Sequence, residues 1–218
     1  MEMITGRALV IISTLLQCSA PTAILASDAL QWTDTKSEAV SEAQRTGRLI
    51  LLLAGRDTCE NCKYMKGTVC ESEPIKRLVQ DNYVAWWCPV DDSSEWGRYA
   101  AGLGGFILPL ICVIDPGDAN NYLDRTTSVQ YPAEFETRLR SHLPSVLPRP
   151  SLVKDGANVY LTWPSEEGVN YRIQRSTNYG ESWSYMGTLV SGTAEMLTEE
   201  IDWGGMKQAW FRLFAFRE

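Results

Sequence analysis

Up to about residue 143 the apolar positions switch back and forth between two periods. "TDTKSEAVSEAQRTGR" (33–48) spaces its apolar residues for an amphipathic helix, with a Thr or Asp cap and a stop at Gly47. "LILLLAG" (49–55) is a continuous apolar run, as expected of a central strand buried on both faces. "CKYMKGTV" then continues as a helix, and "SEPIKRLVQD" (72–81) as another, with Ser72 as cap and Pro74 in its first turn. "YVAWWCPV" (83–90) and "FILPLICVID" (106–115) read as strands, the second entered through Pro109. "SSEWGRYAAGL" (93–103) is a short helix or ordered loop, "PGDANNY" a turn and "YPAEFETRLRSHL" (131–143) a last helix. Alternation of this kind implies an α/β domain built on a mostly parallel central sheet with flanking helices.

"LPSVLPRP" (143–150) carries three prolines in eight residues and reads as a stiff linker. Beyond it the pattern changes. "NVYLTW", "NYRIQRS", "SWSYMGTLV", "AEMLTE" and "AWFRLFAF" are short runs rich in aromatic and β-branched residues, separated by turn signals such as "PSEEG" and "NYGE". This spacing predicts a small all-β sandwich, slim for a full seven-strand module. The expected domains are residues 27–143, a linker over 144–151 and a β module over 152–218.

Composition narrows the function classes. Of 218 residues, 44% are apolar, enough for a real core, and the net charge is −7. An acidic chain repels phosphate backbones, which makes nucleic acid a poor partner. One histidine, His142, excludes most His-based catalysis and His-rich metal sites. Residues 1–26 read as an export signal: Arg7, then "ALVIISTLLQ" (8–17), too short to span a bilayer, then small residues. A cut after Ala26 is expected, with a cut after Ala29 as the alternative. "LLQC" raises lipidation of Cys18 as a third possibility, against which Gln17 argues. The mature chain is therefore expected in the periplasm or outside the cell, with no membrane span. Disulfides persist there, and five cysteines remain, an odd number.

The chemistry concentrates in "RDTCENCKYMKGTVC" (56–70). A CxxC between a buried strand and a helix puts the first sulfur at the helix start, where free N–H groups favour a thiolate. The second sits one turn on, within reach to resolve a mixed disulfide. Cys59 is the candidate attacking thiolate and Cys62 the candidate resolving thiol. Two other readings stay open. A structural disulfide is one, although so tight a loop closes little chain entropy. A zinc site is the other, although it needs a second close pair that Cys70 and Cys88 do not form.

These residues carry a resemblance. Residues 30–143 look like the thioredoxin fold, and "CENCKYMKGTVCESEPIKRLVQDNYVAWWCPVD" is similar to the extracytoplasmic thioredoxin-like family with CxxCKxM and a downstream V-x-V-D. The resemblance implies dithiol–disulfide exchange on Cys59 and Cys62, with Pro109 as the cis-proline that offers backbone hydrogen bonds to an extended substrate. It implies protein thiols or disulfides and a partner dithiol reductase or oxidase as partners, and neither cofactor nor metal. The chain also departs from typical thioredoxins. Thr58 stands for the Trp before the first cysteine, Glu60-Asn61 for Gly-Pro, and Leu53 for a buried Asp that helps move protons. Asp57 and Glu60 oppose a thiolate, while Arg56 and Lys63 favour it. The thioredoxin strand order would set Cys88 and Cys112 on either side of strand 49–55, about 9–10 Å apart and out of disulfide reach. Cys70 is expected as a buried thiol, with a Cys70–Cys88 pair as the lesser possibility.

The β module resembles a fibronectin type III or related immunoglobulin-like domain, on Trp163, Tyr171 and "WFRLFAF" (210–216). Leu161, Trp163, Tyr171, Ile173, Trp183, Phe211 and Leu213 are its candidate core. "STNYGESW" (176–183) matches an Asp-box turn: Asn178 bonds backbone, Gly180 supplies the unusual φ, and Trp183 packs underneath. A single box indicates a hairpin and carries no sugar chemistry. Two functions are therefore expected: an exported thiol–disulfide oxidoreductase or, alternatively, a non-catalytic protein-binding adaptor with a structural CxxC disulfide.

Overall fold

The computed structural model describes residues 29–156, 158–202 and 208–218. They form two units, residues 29–143 with the last three residues, and residues 144–215. The expected export segment and Cys18 lie outside the described residues.

The first unit is built around β2 (Leu49–Gly55), buried at all seven positions. Beside it runs β3 (Tyr83–Pro89), parallel and in register from Leu49↔Tyr83 to Gly55↔Pro89. With β1 (Trp32–Thr33), β4 (Leu110–Ile114) and β5 (Asp124–Thr127), the sheet order is β1-β3-β2-β4-β5. This is the arrangement that the thioredoxin resemblance implies. The sheet is mixed, however: β1, β3 and β2 are parallel, whereas β4 runs antiparallel to β2 and β5 antiparallel to β4. A buried apolar run reads the same in either direction, so hydrophobic pattern alone gives β4 no orientation.

Both faces of the sheet are covered. Ile50, Leu52 and Ala54 point to one face, where they pack with Ala39 and Ala43 of α1 (Lys36–Thr46) and with Tyr99 of α4 (Gly97–Ala100). Thr35 caps α1 in a full capping box with Glu38, and Gly47 ends it at φ 70°. Alternation sends Leu49, Leu51 and Leu53 to the other face. There α3 (Ile75–Asn82) and α5 (Pro132–Ser141) pack, and the Tyr83 hydroxyl donates to the Leu139 carbonyl at 2.6 Å.

Local differences from the expected elements have simple causes. The helix after the cysteine pair is two pieces, α2 (Glu60–Tyr64) and a π-helical turn (Met65–Val69), closed by the Cys70 N–H on the Met65 carbonyl. Ser72 is not the cap of α3. Its hydroxyl donates backwards to Val69, and Pro74, which has no N–H to satisfy, takes the cap position. The strand through Pro109 begins only at Leu110, because residues 106–109 form the loop that leads into it.

The second unit has two three-stranded antiparallel sheets. One is ordered β10 (Met196–Ile201), β7 (Asn158–Pro164), β6 (Ser151–Asp155), and the other β11 (Trp210–Arg217), β8 (Val169–Ser176), β9 (Ser184–Ser191). Leu161, Trp163, Tyr171 and Ile173 join Val169 and Ile201 in one core shared by both sheets, as a sandwich requires. Phe211 and Leu213 flank it half-buried. Trp183 is not in that core. It lies against the hairpin turn, about 3.5 Å from where a Gly180 side chain would begin, with the Arg212 guanidinium 4.1 Å from its ring. Asn178 accepts from the Ser182 N–H, and Gly180 has φ 85°.

Candidate active site

The two sulfurs are placed by the end of β2. The chain leaves the strand at Gly55, turns through residues 56–58 and enters α2 at Cys59. Cys59 is the N-cap, with extended backbone (φ −89°, ψ 116°), so its side chain lies at the open end of the helix. It is partly exposed, whereas Cys62, one turn later, is fully buried.

The surroundings treat the two thiols oppositely. Burial works against a Cys59 thiolate. The Cys62 S–H, the backbone N–H groups of Cys62 and Asn61, and the Arg56 charge outweigh it and hold the Cys59 thiol below its ordinary range. Cys62 is pushed the other way, to about 12, first by burial and then because its S–H is the donor to Cys59. The placement favours the thiolate at Cys59 and the protonated thiol at Cys62. The nearby charges largely answer one another. Arg56 Nε lies 2.9 Å from both carboxylate oxygens of Asp91, and Lys63 pairs with Glu60 at 2.7 Å.

Pro109 also comes to this site. The Leu108–Pro109 peptide is cis and Pro109 is buried. The link to the cysteines runs through a residue that spacing did not single out: the Asn61 amide reaches the Leu108 carbonyl at 3.5 Å. Ile107, beside it, is 64% exposed. The Ser128 N–H is shared by the Ile107 and Pro109 carbonyls, both at 2.9 Å, which fixes the loop against the sheet edge.

Beneath the pair the floor is apolar. Leu53, at the position where a carboxylate was expected to be missing, is buried and lies between Trp87 and Ile111 in the sheet. Trp87 is buried too, with the Lys66 ammonium 4.3 Å from its ring centroid. Gly55 completes the floor. A side chain there would meet Cys62 Sγ at 2.6 Å. A glycine closing a fully buried strand just before a CxxC is the sequence signal for this contact.

The remaining cysteines stand apart. Cys70, Cys88 and Cys112 are buried, unpaired thiols, all raised by burial, Cys70 and Cys112 to about 12. Cys88 faces Ala54 on one side of β2 and Cys112 faces Leu52 on the other. Among the described residues, no group of three or more His, Cys, Asp or Glu is arranged to hold a metal ion.

Residues 31–116 match a family model described as thioredoxin-like. No curated protein sequence matches the chain. Among solved structures, a thioredoxin from Thermus thermophilus is 24% identical over 52% of this chain and 86% of its own, with a TM-score of 0.44. A poplar thioredoxin h is 17% identical over 51% of this chain and 94% of its own, with a TM-score of 0.38. The first unit is thus a thioredoxin-like domain with a CxxC pair, followed by a β-rich region of sandwich type.

Proposed function

We propose that this chain is an exported thiol–disulfide oxidoreductase that acts on protein substrates through Cys59-Glu60-Asn61-Cys62. A thioredoxin-like domain bearing a CxxC pair has a redox or disulfide-related role. The observation that carries the finer reading is the placement of the pair, a partly exposed Cys59 at the start of a helix with a fully buried Cys62 one turn on, and the opposite directions in which the two thiols are pushed follow from it.

The chemistry follows in two steps. The Cys59 thiolate attacks one sulfur of a substrate disulfide, forming a mixed disulfide and expelling the other substrate sulfur as a thiolate. Cys62 then gives up its proton and attacks the Cys59 sulfur. The Cys59–Cys62 disulfide forms, and the second substrate thiolate leaves and takes a proton. The substrate has gained two electrons and the pair has lost them; a partner dithiol restores the pair, and run in reverse the same steps oxidise a substrate. We assign Pro109 to substrate binding, through the exposed loop backbone beside it. No small-molecule cofactor enters these steps. The periplasm or the extracellular space is the assigned location, from the reading of residues 1–26 as a signal. No helix among the described residues is long and apolar enough to cross a membrane. We read the second unit as a fibronectin type III-like binding or spacer module.

The adaptor reading has one observation in its favour: Leu53, buried between Trp87 and Ile111, stands where typical thioredoxins carry the Asp that helps move protons. Reduction of a peptide disulfide by wild type and by Cys59→Ser decides between the two. The oxidoreductase loses its activity with the serine. Equal, negligible rates would leave the adaptor.

A further inference from the structure

Gly55 ends β2, and nothing in its own backbone calls for glycine. It is absent from the residues with positive φ, it lies opposite Pro89 in the parallel register, and its carbonyl accepts from the Val90 N–H at 2.9 Å. Glycine in a buried strand gives up packing and costs conformational entropy, so a strand glycine marks a place where another group comes unusually close. Here the required commodity is space. A Cβ at this position would lie 2.6 Å from Cys62 Sγ, 3.0 Å from Cys62 Cβ and 3.0 Å from Cη2 of Trp87. None of these neighbours is the loose end of a flexible chain. Cys62 is fully buried on α2, and Trp87 is buried on β3 with Lys66 against its ring. At Gly67 and Gly97, in the same unit, an added Cβ would meet nothing.

We infer that Gly55 is a positioning residue for the resolving thiol: its missing side chain is the socket that lets the Cys62 sulfur settle against the end of β2, with Trp87 as the neighbouring wall, within hydrogen-bonding reach of Cys59. The inference rests on the two-cysteine exchange proposed above and assigns Gly55 to its second step. Attack by Cys59 on a substrate disulfide forms no bond to Cys62 and draws on that thiol only for part of its thiolate support. The return attack by Cys62, which forms the Cys59–Cys62 bond and expels the substrate thiolate, needs the Cys62 sulfur in its socket. A side chain at position 55 pushes that sulfur out and leaves the enzyme caught on its substrate.

Two measurements test this on the full chain. The first needs no substrate. Thermal melts of wild type, Gly55→Ala, Cys62→Ala and the double variant form a cycle. The socket predicts that Gly55→Ala lowers the melting temperature much less when position 62 carries no sulfur. Folding of Gly55→Ala only in the Cys62→Ala background counts the same way. Equal losses in both backgrounds, or no folding in either, overturn the inference. The second uses a disulfide-bonded peptide, with acid quenching and mass analysis of the Cys59 mixed disulfide. Gly55→Ala should still form it, no more slowly than Cys62→Ala does, and hold it about 10- to 100-fold longer than wild type, the scale of effect of a displacement near 1 Å at a reacting group. Adding Trp87→Phe, which removes the ring edge that crowds the new methyl, should recover part of that loss. An unchanged lifetime in folded Gly55→Ala overturns the inference. If wild type forms no mixed disulfide at all, the oxidoreductase reading fails, and the melting cycle still decides whether Gly55 holds the sulfur.

Discussion

The two faces of β2 hold sulfur in opposite ways. On the face of Ile50, Leu52 and Ala54, Cys88 and Cys112 are packed into the core among Trp86, Tyr99, Leu110 and Ile114. Burial raises both thiols, at Cys88 against the opposing hydrogen bonds of Ser93 and the Trp96 backbone. On the face of Leu53 and Gly55, Cys62 is just as buried, but it lies one turn from Cys59, which stands at the start of a helix where the Cys62 thiol, two backbone N–H groups and the Arg56 charge favour its thiolate. The thiols are chemically identical. What separates them is whether the backbone ends a strand or begins a helix at that point. The lowered thiol belongs to the junction, and the thiols on buried strand positions are raised.

The largest test of this contrast is to remove one sulfur from each face. Cys62→Ala should abolish turnover and leave Cys59 joined to a peptide substrate, whereas Cys112→Ala should leave exchange at the wild-type rate. Stopped-flow reduction of a peptide disulfide reads both. A loss of exchange in Cys112→Ala with the fold intact would break the division between the faces.

Alkaline pH provides the next. Cys70 and Cys112 have folded values near 12 against an ordinary 9.0, so the native state keeps their protons longer than the unfolded chain does. Their contribution is fully present below the unfolded value and is lost as pH rises from about 9 toward about 12. Each buried thiol costs about 1.4 kcal/mol per pH unit in that window. Urea unfolding at pH 8, 9.5 and 10.5 should show the midpoint falling steeply above 9. Cys59 runs in the opposite sense. Its folded value is lowered, so its contribution is present above the unfolded value and is lost as pH falls through the folded one.

The contrast explains what was legible in the sequence. β2 could be read because seven apolar residues in a row match a strand buried on both faces, and the CxxC that follows it inherits a place at the helix start. α1 could be read from its cap and its closing glycine. β1, with two residues, and β5 ("DRTT") and β6 ("SLVKD"), half-buried or exposed, have no apolar alternation to betray them. The direction of β4 was hidden because its burial is the same either way round. The π-helical turn after Tyr64 changes one hydrogen-bond step and leaves no compositional trace. Within the site, Cys59, Cys62 and Pro109 stood out by motif. Gly55 and Asn61 did not, because their part depends on what lies across space: Cys62 Sγ in one case and the Leu108 carbonyl in the other.

A smaller effect separates packing from chemistry on the quiet face. Cys112→Ser places a hydroxyl where the thiol is buried beside Leu52, and should cost about 1–3 kcal/mol of stability with no change in exchange rate. A stability loss no greater than that of a surface serine would mean that the core on this face admits water.

The smallest effect lies in Arg56. Its guanidinium is about half exposed and already bonded to Asp91, so its pull on Cys59 is screened by solvent and shared with a carboxylate. Arg56→Gln should therefore slow alkylation of Cys59 at neutral pH by only about two- to five-fold, the rate equivalent of an exposed charge pair. The difference should shrink further in 0.5 M salt, as expected for a surface interaction. Asp91→Asn, which frees Arg56 from its partner, should move the rate the other way. If Arg56→Gln silenced Cys59, the thiolate would depend on one surface charge, and the junction of strand and helix would not be what distinguishes the two faces. A small, salt-sensitive change leaves the Cys62 S–H and the N–H groups of Asn61 and Cys62 as the main support of the thiolate, and these are fixed by the backbone and by the socket at Gly55.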